Sequence, residues 1–506
     1  MRFQLLDAAH RTAGRLRDAL ADPARRERNV LAALALYAAL WTLYGTIAKS
    51  SQGLHPDMTE LIAWSRDLAF GYAKHPPLAA WLVALWFSAQ PVAEWSYYLL
   101  AMLMPTLTLW IIWRGSADYL DVEKRLVGLA LLTFVPFFNF QALKFNVNTL
   151  LMPLWAATTF AFLRSYTQRS ARYALLAGIA AAACMLTKYW SVFLIGGLII
   201  AALSDKRHAD YFRSVAPWLT VAAGALVLAP HIVWLVQNDF APFGYAMTVH
   251  GEKSFAAAAL GALGYLAGAL GYVAVPLLVV MAAARPSRKT LADLIWPADR
   301  NRRLAATAFW APLLLPVIAA LASGTVMNSL WSMSAWSLLP VVLLSPPDVK
   351  LSPIHTRRVI VGALALPLAA LIASPLVALA VHGQGPRPAS AQARLLADEV
   401  ERAWHAITPQ PLRFVGGDTD IAYGVIAYAR DRPRALPGLP RPSALELSQS
   451  GEVLVCFAED ADCWHAAARS AAKVGPSRTL DVEVARAFLG MPGREQRYAI
   501  TLVPPL

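Results

Sequence analysis

Charged residues are scarce in this chain. They make up only 15% of its 506 positions, while 57% are hydrophobic; an ordinary soluble domain carries about 25% charged residues. A soluble core could not absorb that much apolar surface, which excludes a wholly soluble protein. Cysteine is rarer still. Cys184 lies in an apolar run, and Cys456 and Cys463 stand close together in the C-terminal tail, where they bridge only if the backbone turns back between them. No Gly-rich phosphate loop is present, and no segment on the inner side is long enough for a dinucleotide fold, which argues against a nucleotide-dependent enzyme. There is no internal repeat and no low-complexity tract. The net charge of +13 is not gathered on one face with interleaved aromatics, so nucleic acid is not an expected partner.

What the chain does have is long apolar stretches. Val30 to Ala48, Val215 to Leu235, Phe255 to Ala284 and Val359 to Val381 are nearly free of charge and long enough to cross about 30 Å of hydrocarbon. Hydropathy and charge together predict about eleven spans, near 30–48, 92–113, 126–141, 147–164, 173–187, 190–203, 215–236, 255–283, 305–322, 334–346 and 359–382. Threaded from a cytoplasmic N-terminus, the inside segments (1–29, 114–125, 164–172, 204–213, 285–303 and 347–358) hold roughly 25 Lys and Arg, against about 6 outside. The expected setting is therefore a bacterial inner membrane, crossed many times, with the C-terminal tail in an oxidising periplasm.

The expected architecture is an α-helical polytopic membrane protein with a small soluble α/β domain. Residues 1–29 form a basic cytoplasmic arm in which Arg11, Arg15 and Arg17 lie on anionic headgroups or simply on a solvated helix. Residues 30–382 form the membrane domain, whose first outside loop runs from about 49 to 94. Within that loop Leu78 to Ala89 reads as an interfacial helix, since Pro76-Pro77 starts it and Trp81 and Trp86 suit the headgroup level. Residues 383–506 form the periplasmic domain, with a charged helix from Ala391 to Ala406, strands at Leu412 to Val415 and Val453 to Phe457, and a helix around Trp464 to Lys473.

Chemistry is expected where polar groups gather at the mouth of the bundle. The stretch HPDMTELIAWSRDLAFGYAKHPPL, residues 55–78, puts Asp57 and Glu60 one helical turn apart and Lys74-His75 before a double proline. The alternative is a set of solvated interfacial residues flanking an amphipathic helix. The span centres are nearly free of charge, which favours surface chemistry over a transporter or flippase, the main rival class.

These residues resemble the lipid-dependent GT-C glycosyltransferases of family 39, which takes in protein O-mannosyl-, aminoarabinose and rhizobial galacturonosyl transferases. Asp57, Trp64-Ser65 and His75-Pro76-Pro77-Leu78 occupy family positions. KFNVNTLLMPLW (144–155), LTKYWSVFL (186–194) and PHIVWLVQNDFAPF (230–243) look like its later segments, and the likeness covers roughly residues 30–340. The resemblance implies a GT-C-like fold and transfer of a sugar from a polyprenyl-phosphate donor to a lipid, glycan or protein acceptor. It implies Asp57 as the catalytic carboxylate, accepting the acceptor's proton or binding a divalent metal together with His75. The donor phosphate would meet Lys74, His75, Lys144, Lys188, His250 and Lys253, although Lys144 and Lys188 also suit snorkelling from span ends. Glu60, Asn146 and Asn148 would contact sugar or acceptor. Met58, Lys74 and Asn148 depart from acidic residues of the pattern, which favours a site where Lys74 neutralises the phosphate without a metal. They also keep open a non-catalytic subunit.

Overall fold

In a computed structural model, the described residues are 14, 18–20, 22–250, 254–385, 392–436, 438 and 441–506. Arg11, Arg15 and Arg17 of the basic arm lie outside them. Among the described residues, 6 helices are long and apolar enough to cross a membrane: Arg26–Ala48, Glu94–Asp118, Ala216–Gln237, Phe255–Tyr272, Arg300–Ser323 and Pro353–Gln384. Shorter apolar helices include Leu78–Ala89, Ala171–Met185 and Ala274–Ala284. Val147–Gln168 adds a further 22-residue helix, largely buried.

Three stretches expected as single spans are interrupted, each at a proline. Over 126–141 the helix is only Val122–Leu132, about 16 Å of rise. Pro136 holds Val135 extended at ψ 123° and opens a 3-10 turn instead. The run 255–283 divides at Val273, φ −102° and ψ 8°, because Pro276 lacks an N–H and crowds the carbonyl one turn back. Over 334–346 a 3-10 turn, Ala335–Leu338, precedes the helix Leu339–Leu344, with Pro340 at the junction.

The chain forms two compact units, one of residues 1–42, 73–78 and 99–371, the other of residues 43–72, 79–98 and 372–506. In the first, helices approach closely where small residues allow it. A Cβ on Gly178 would lie 2.2 Å from the Thr220 carbonyl oxygen, and one on Gly197 would lie 2.4 Å from Pro312 Cγ. These glycines set the packing of Ala171–Met185 on Ala216–Gln237, and of Val192–Ser204 on Arg300–Ser323.

The second unit is built on a five-stranded sheet of order β2-β1-β3-β5-β4. Its strands are β1 (Phe414–Gly417), β2 (Arg434–Ala435), β3 (Glu452–Phe457), β4 (Arg478–Ala485) and β5 (Glu495–Val503). β1 pairs in parallel with β2 and β3, and β5 runs antiparallel to β3 and β4. Helices Ala393–His405 and Thr419–Tyr428 cover it, and Val400, Trp404, Val425, Val455 and Ile500 form the core, joined by Ala63 from the first loop. Cys456 and Cys463 are bridged, with Cα atoms 5.9 Å apart. The turn-back comes from the end of β3 and the start of helix Ala461–Ala471, whose N-cap Asp460 accepts from the Cys463 N–H.

The stretch 49–94, expected as the first outside loop, contains two helices. Pro56–Ser65 starts as a proline at the first helical position dictates, with His55 Nδ1 accepting from the Asp57 N–H. Leu78–Ala89 has 12 residues, about 18 Å of rise, less than a crossing requires.

Candidate functional site

In the first unit, the segment Lys74-His75-Pro76-Pro77 ends where the Leu78 N–H donates to the Leu186 carbonyl at 2.9 Å. The double proline has no N–H of its own to offer, so this bond fixes the loop beside the turn Leu186-Thr187-Lys188. Lys188 is extended, φ −158° and ψ 132°, and caps a 3-10 turn Tyr189–Ser191. That backbone sends its side chain away from the turn. Lys188 Nζ donates to Asn148 Oδ1 at 2.8 Å and lies 5.1 Å from the Trp331 ring and 5.9 Å from the Trp190 ring.

Asn148 is itself held in place. Asn146 caps helix Val147–Gln168, its Oδ1 accepting from the Asn148 and Thr149 N–H groups at 3.0 and 3.1 Å. The Thr149 hydroxyl donates to the Lys144 carbonyl at 2.8 Å. Asn146 is thus a cap and Asn148 an anchor for Lys188, which joins two segments remote in sequence.

A cavity of about 410 Å³ opens here, and its lining includes Lys74, His75 and Lys188. Its walls are apolar and aromatic: Trp190, Phe193, Phe243, Met247, Pro316 and Trp331. Tyr189 stacks on Phe243 at 4.7 Å and shares a 3.0 Å hydrogen bond with Nε2 of buried His231. A cavity lined mostly by apolar and aromatic side chains together with three basic ones suits an apolar molecule with an anionic head. The aromatic lining was not assigned a role from sequence, although Tyr189 and Trp190 adjoin Lys188 and His231 lies in the PHIVW segment.

The expected site residues thus divide. Lys74, His75 and Lys188 share one cavity, with Asn148 bonded to Lys188. Among the described residues, Lys144 is not part of its lining. Helix Ala241–His250 contributes Phe243 and Met247 to the wall, but the His250 side chain and Lys253 lie outside what is described. Asp57 and Glu60 belong to the second unit. There Asp57 is about a third exposed and its Oδ1 lies 3.7 Å from His55 Nδ1.

The helix carrying Asp57 is secured within its own unit. The Tyr97 hydroxyl donates to the Met58 carbonyl at 3.2 Å, Trp64 stacks on Tyr72 at 4.9 Å and donates to Tyr423 Oη at 3.3 Å. Arg66 reaches the Ala427 carbonyl at 3.4 Å, and burial, aided by Arg432, brings its guanidinium down to about 10. Asp67 pairs with Arg434. Among the described residues no group of three or more His, Cys, Asp or Glu side chains is placed to hold a metal ion. Asp57 and His75, the pair expected to bind a metal, belong to different units.

The sequence profile of the dolichyl-phosphate-mannose-protein mannosyltransferase family matches residues 74–234, the stretch that holds Lys74, His75 and Lys188. Lipopolysaccharide core galacturonosyltransferase RgtB of Rhizobium johnstonii is 28% identical over 324 residues, 62% of this chain and 65% of that protein. Lipid A galacturonosyltransferase RgtD of the same organism is 25% identical over 183 residues, 35% of this chain and 37% of that one. The matched stretches thus span less than two thirds of either relative. In fold, the chain matches ArnT of Cupriavidus metallidurans with a TM-score of 0.60 in the apo state and 0.58 with undecaprenyl phosphate bound. Identity is 14% in both, over 93% and 92% of this chain and 97% of that one. The chain is a multi-pass membrane protein with the fold of a GT-C glycosyltransferase. Within that class it resembles the lipid-dependent enzymes of family 39.

Proposed function

We propose that this protein is a glycosyltransferase that takes a sugar from a polyprenyl-phosphate donor and passes it to a hydroxyl acceptor at the outer face of the inner membrane. The observation that carries the reading is the cavity whose mostly apolar and aromatic lining also holds Lys74, His75 and Lys188. An isoprenoid chain packs on the apolar lining, and the phosphate meets the three basic side chains. That ArnT has been seen with undecaprenyl phosphate supports the same donor class here.

In the reaction the acceptor oxygen bonds to the anomeric carbon while the bond from that carbon to the phosphate oxygen breaks, its electron pair leaving with the lipid phosphate. Lys188 and Lys74 stabilise the negative charge that develops there. Asn148 keeps the Lys188 ammonium in place, and the flanking indoles exclude water and so strengthen that interaction. Asp57 takes the acceptor's proton, a role that rests on the resemblance; Glu60 contacts sugar or acceptor on the same basis. The relatives act on lipopolysaccharide core and lipid A, which favours a glycolipid acceptor. Residues 30–382 serve as the membrane domain and 383–506 as a periplasmic one, a reading supported by the basic inside segments and the Cys456–Cys463 bridge.

Purified protein given a labelled polyprenyl-phosphate sugar and a lipid A acceptor tests this. Label passes to the acceptor with the unaltered chain and not with Asp57→Asn. Transfer that survives Asp57→Asn rejects the carboxylate's role, and movement of the donor across a bilayer without transfer supports the flippase class instead. A reporter fused after Leu506 is active only in the periplasm; cytoplasmic activity inverts the topology.

A further inference from the structure

The tip joining β4 to β5 carries residues that a soluble domain has little reason to choose. Phe488 and Met491 form an isolated antiparallel bridge. This leaves Leu489 and Gly490 as a two-residue turn with φ 50° and 78°, the left-handed pair of a type I′ hairpin. Asn, Asp or Gly ordinarily fills the first of these positions, and a leucine there is strained. Its side chain is 77% exposed, with Met491 40% exposed beside it, so burial in the domain does not explain the choice.

The tip packs on the last turn of helix Pro353–Gln384, a candidate span. The Phe488 ring lies 5.6 Å from the His382 ring, and Gly493 lets the chain come close to His382, where a Cβ would stand 3.2 Å from Cε1. His382 and Gln384 are the first polar residues at that end of the helix, so the hairpin is held at headgroup level.

Between helix end and hairpin lies a cleft of about 20 Å³ lined by Ser51, His382, Gln392, Arg486 and Arg494, room for about one water-sized group. Gln392 is 2% exposed. Its Nε2 donates to the Arg494 carbonyl at 3.2 Å, while its Oε1, like the buried Nε2 of His382, has no hydrogen-bond partner among the described residues. A buried acceptor without a donor is costly, so an occupant that brings an O–H is favoured. Two guanidinium groups ask for anionic oxygens, and Arg486 is fixed at the mouth by donating to the Ser50 carbonyl at 2.7 Å.

We propose that this cleft binds the headgroup of an anionic phospholipid bearing a hydroxyl, a phosphatidylglycerol, with Leu489 and Met491 inserted among the acyl chains beside it. The phosphodiester oxygens accept from Arg486 and Arg494, and one glycerol hydroxyl enters the cleft and donates to Gln392 Oε1. The site does not depend on the transferase reading.

An environment-sensitive fluorophore attached through Leu489→Cys, in the full chain carrying Cys184→Ala, reads this out in vesicles. The membranes are phosphatidylcholine alone, phosphatidylcholine with phosphatidylglycerol, and phosphatidylcholine with phosphatidylmethanol, which is equally anionic but lacks the hydroxyl. Blue-shifted emission, with quenching by nitroxide lipids several-fold stronger with phosphatidylglycerol than in either other membrane, is expected. Arg494→Glu, at an exposed position, and Gln392→Met each bring it back to the phosphatidylcholine level. Water-like emission in every membrane, or quenching equal in all three, overturns the proposal. Equal responses to phosphatidylglycerol and phosphatidylmethanol overturn the assignment of the hydroxyl to Gln392.

Discussion

The helical unit and the sheet-bearing unit place apolar side chains in opposite ways. In the first, Leu226 and Leu260 stand outward, 76% and 72% exposed, while Asn139, Thr149 and Ser191 are buried. In the second, Val400, Val425, Val455 and Ile500 are wholly buried, while Arg394, Asp398 and Arg402 of Ala393–His405 and Asp481 and Glu483 of β4 are exposed. One alphabet is arranged for two solvents, hydrocarbon and water. The difference tells a reader where an ionisable group carries meaning. Inside the helical unit, Lys188 between two indoles is a functional hypothesis by default. Inside the sheet unit, a buried carboxyl such as Glu452 is a cost that the rest of the core offsets.

Removing Lys188 probes that contrast most severely. Lys188→Met lowers transfer turnover by about 10²-fold with helicity unchanged, measured with the labelled donor; a drop of only two- or threefold makes Lys188 a snorkelling residue. Replacing Cys456 and Cys463 together by Ser acts on the other unit instead, costing about 2 kcal/mol of stability, read as faster proteolysis of the C-terminal region in the full chain. Asn148→Ala frees the Lys188 ammonium and lowers kcat/KM by about tenfold, whereas Asn148→Asp keeps the anchor and most of the activity. Equal losses in the two variants detach Asn148 from the lysine.

The smallest effect concerns Glu452, whose buried carboxyl is pushed above its ordinary value by loss of water. The folded state then holds the proton more tightly than the unfolded chain does. Stability is therefore lost as pH rises from the ordinary glutamate value through the raised one. Glu452→Gln raises the melting temperature slightly at about pH 7 and leaves it unchanged at about pH 4; a gain that is the same at both removes burial of charge as the cause.

Much of the helical unit was legible because a bilayer demands uncharged runs of fixed length, as in Pro353–Gln384 and Ala216–Gln237. Pro136 marked one apolar run as uncertain, but the interruptions at Pro276 and Pro340 escaped notice, since hydropathy averages across a proline that the backbone cannot ignore. In the tail, β3 and the helices at Ala393–His405 and Ala461–Ala471 fell close to their expected places. β4 and β5 were missed: β4 is an exposed edge strand whose alternation Thr479, Asp481, Glu483 offers little apolar signal, and β5 acquires its burial only by lying between β3 and β4. At the site, the basic residues Lys74, His75 and Lys188 were readable as scarce outside cations. The Asn148–Lys188 bond was not, because no spacing links residues on separate helices.

The single bond from Leu78 to the Leu186 carbonyl also bears on how the protein is made. Helices leave the ribosome and enter the bilayer in order, so the His75-Pro76-Pro77 loop has been made long before its partner strip of backbone is synthesised. Until Leu186 emerges the loop lacks this backbone acceptor, and a nascent chain halted short of it would hold the segment less firmly than the finished molecule does.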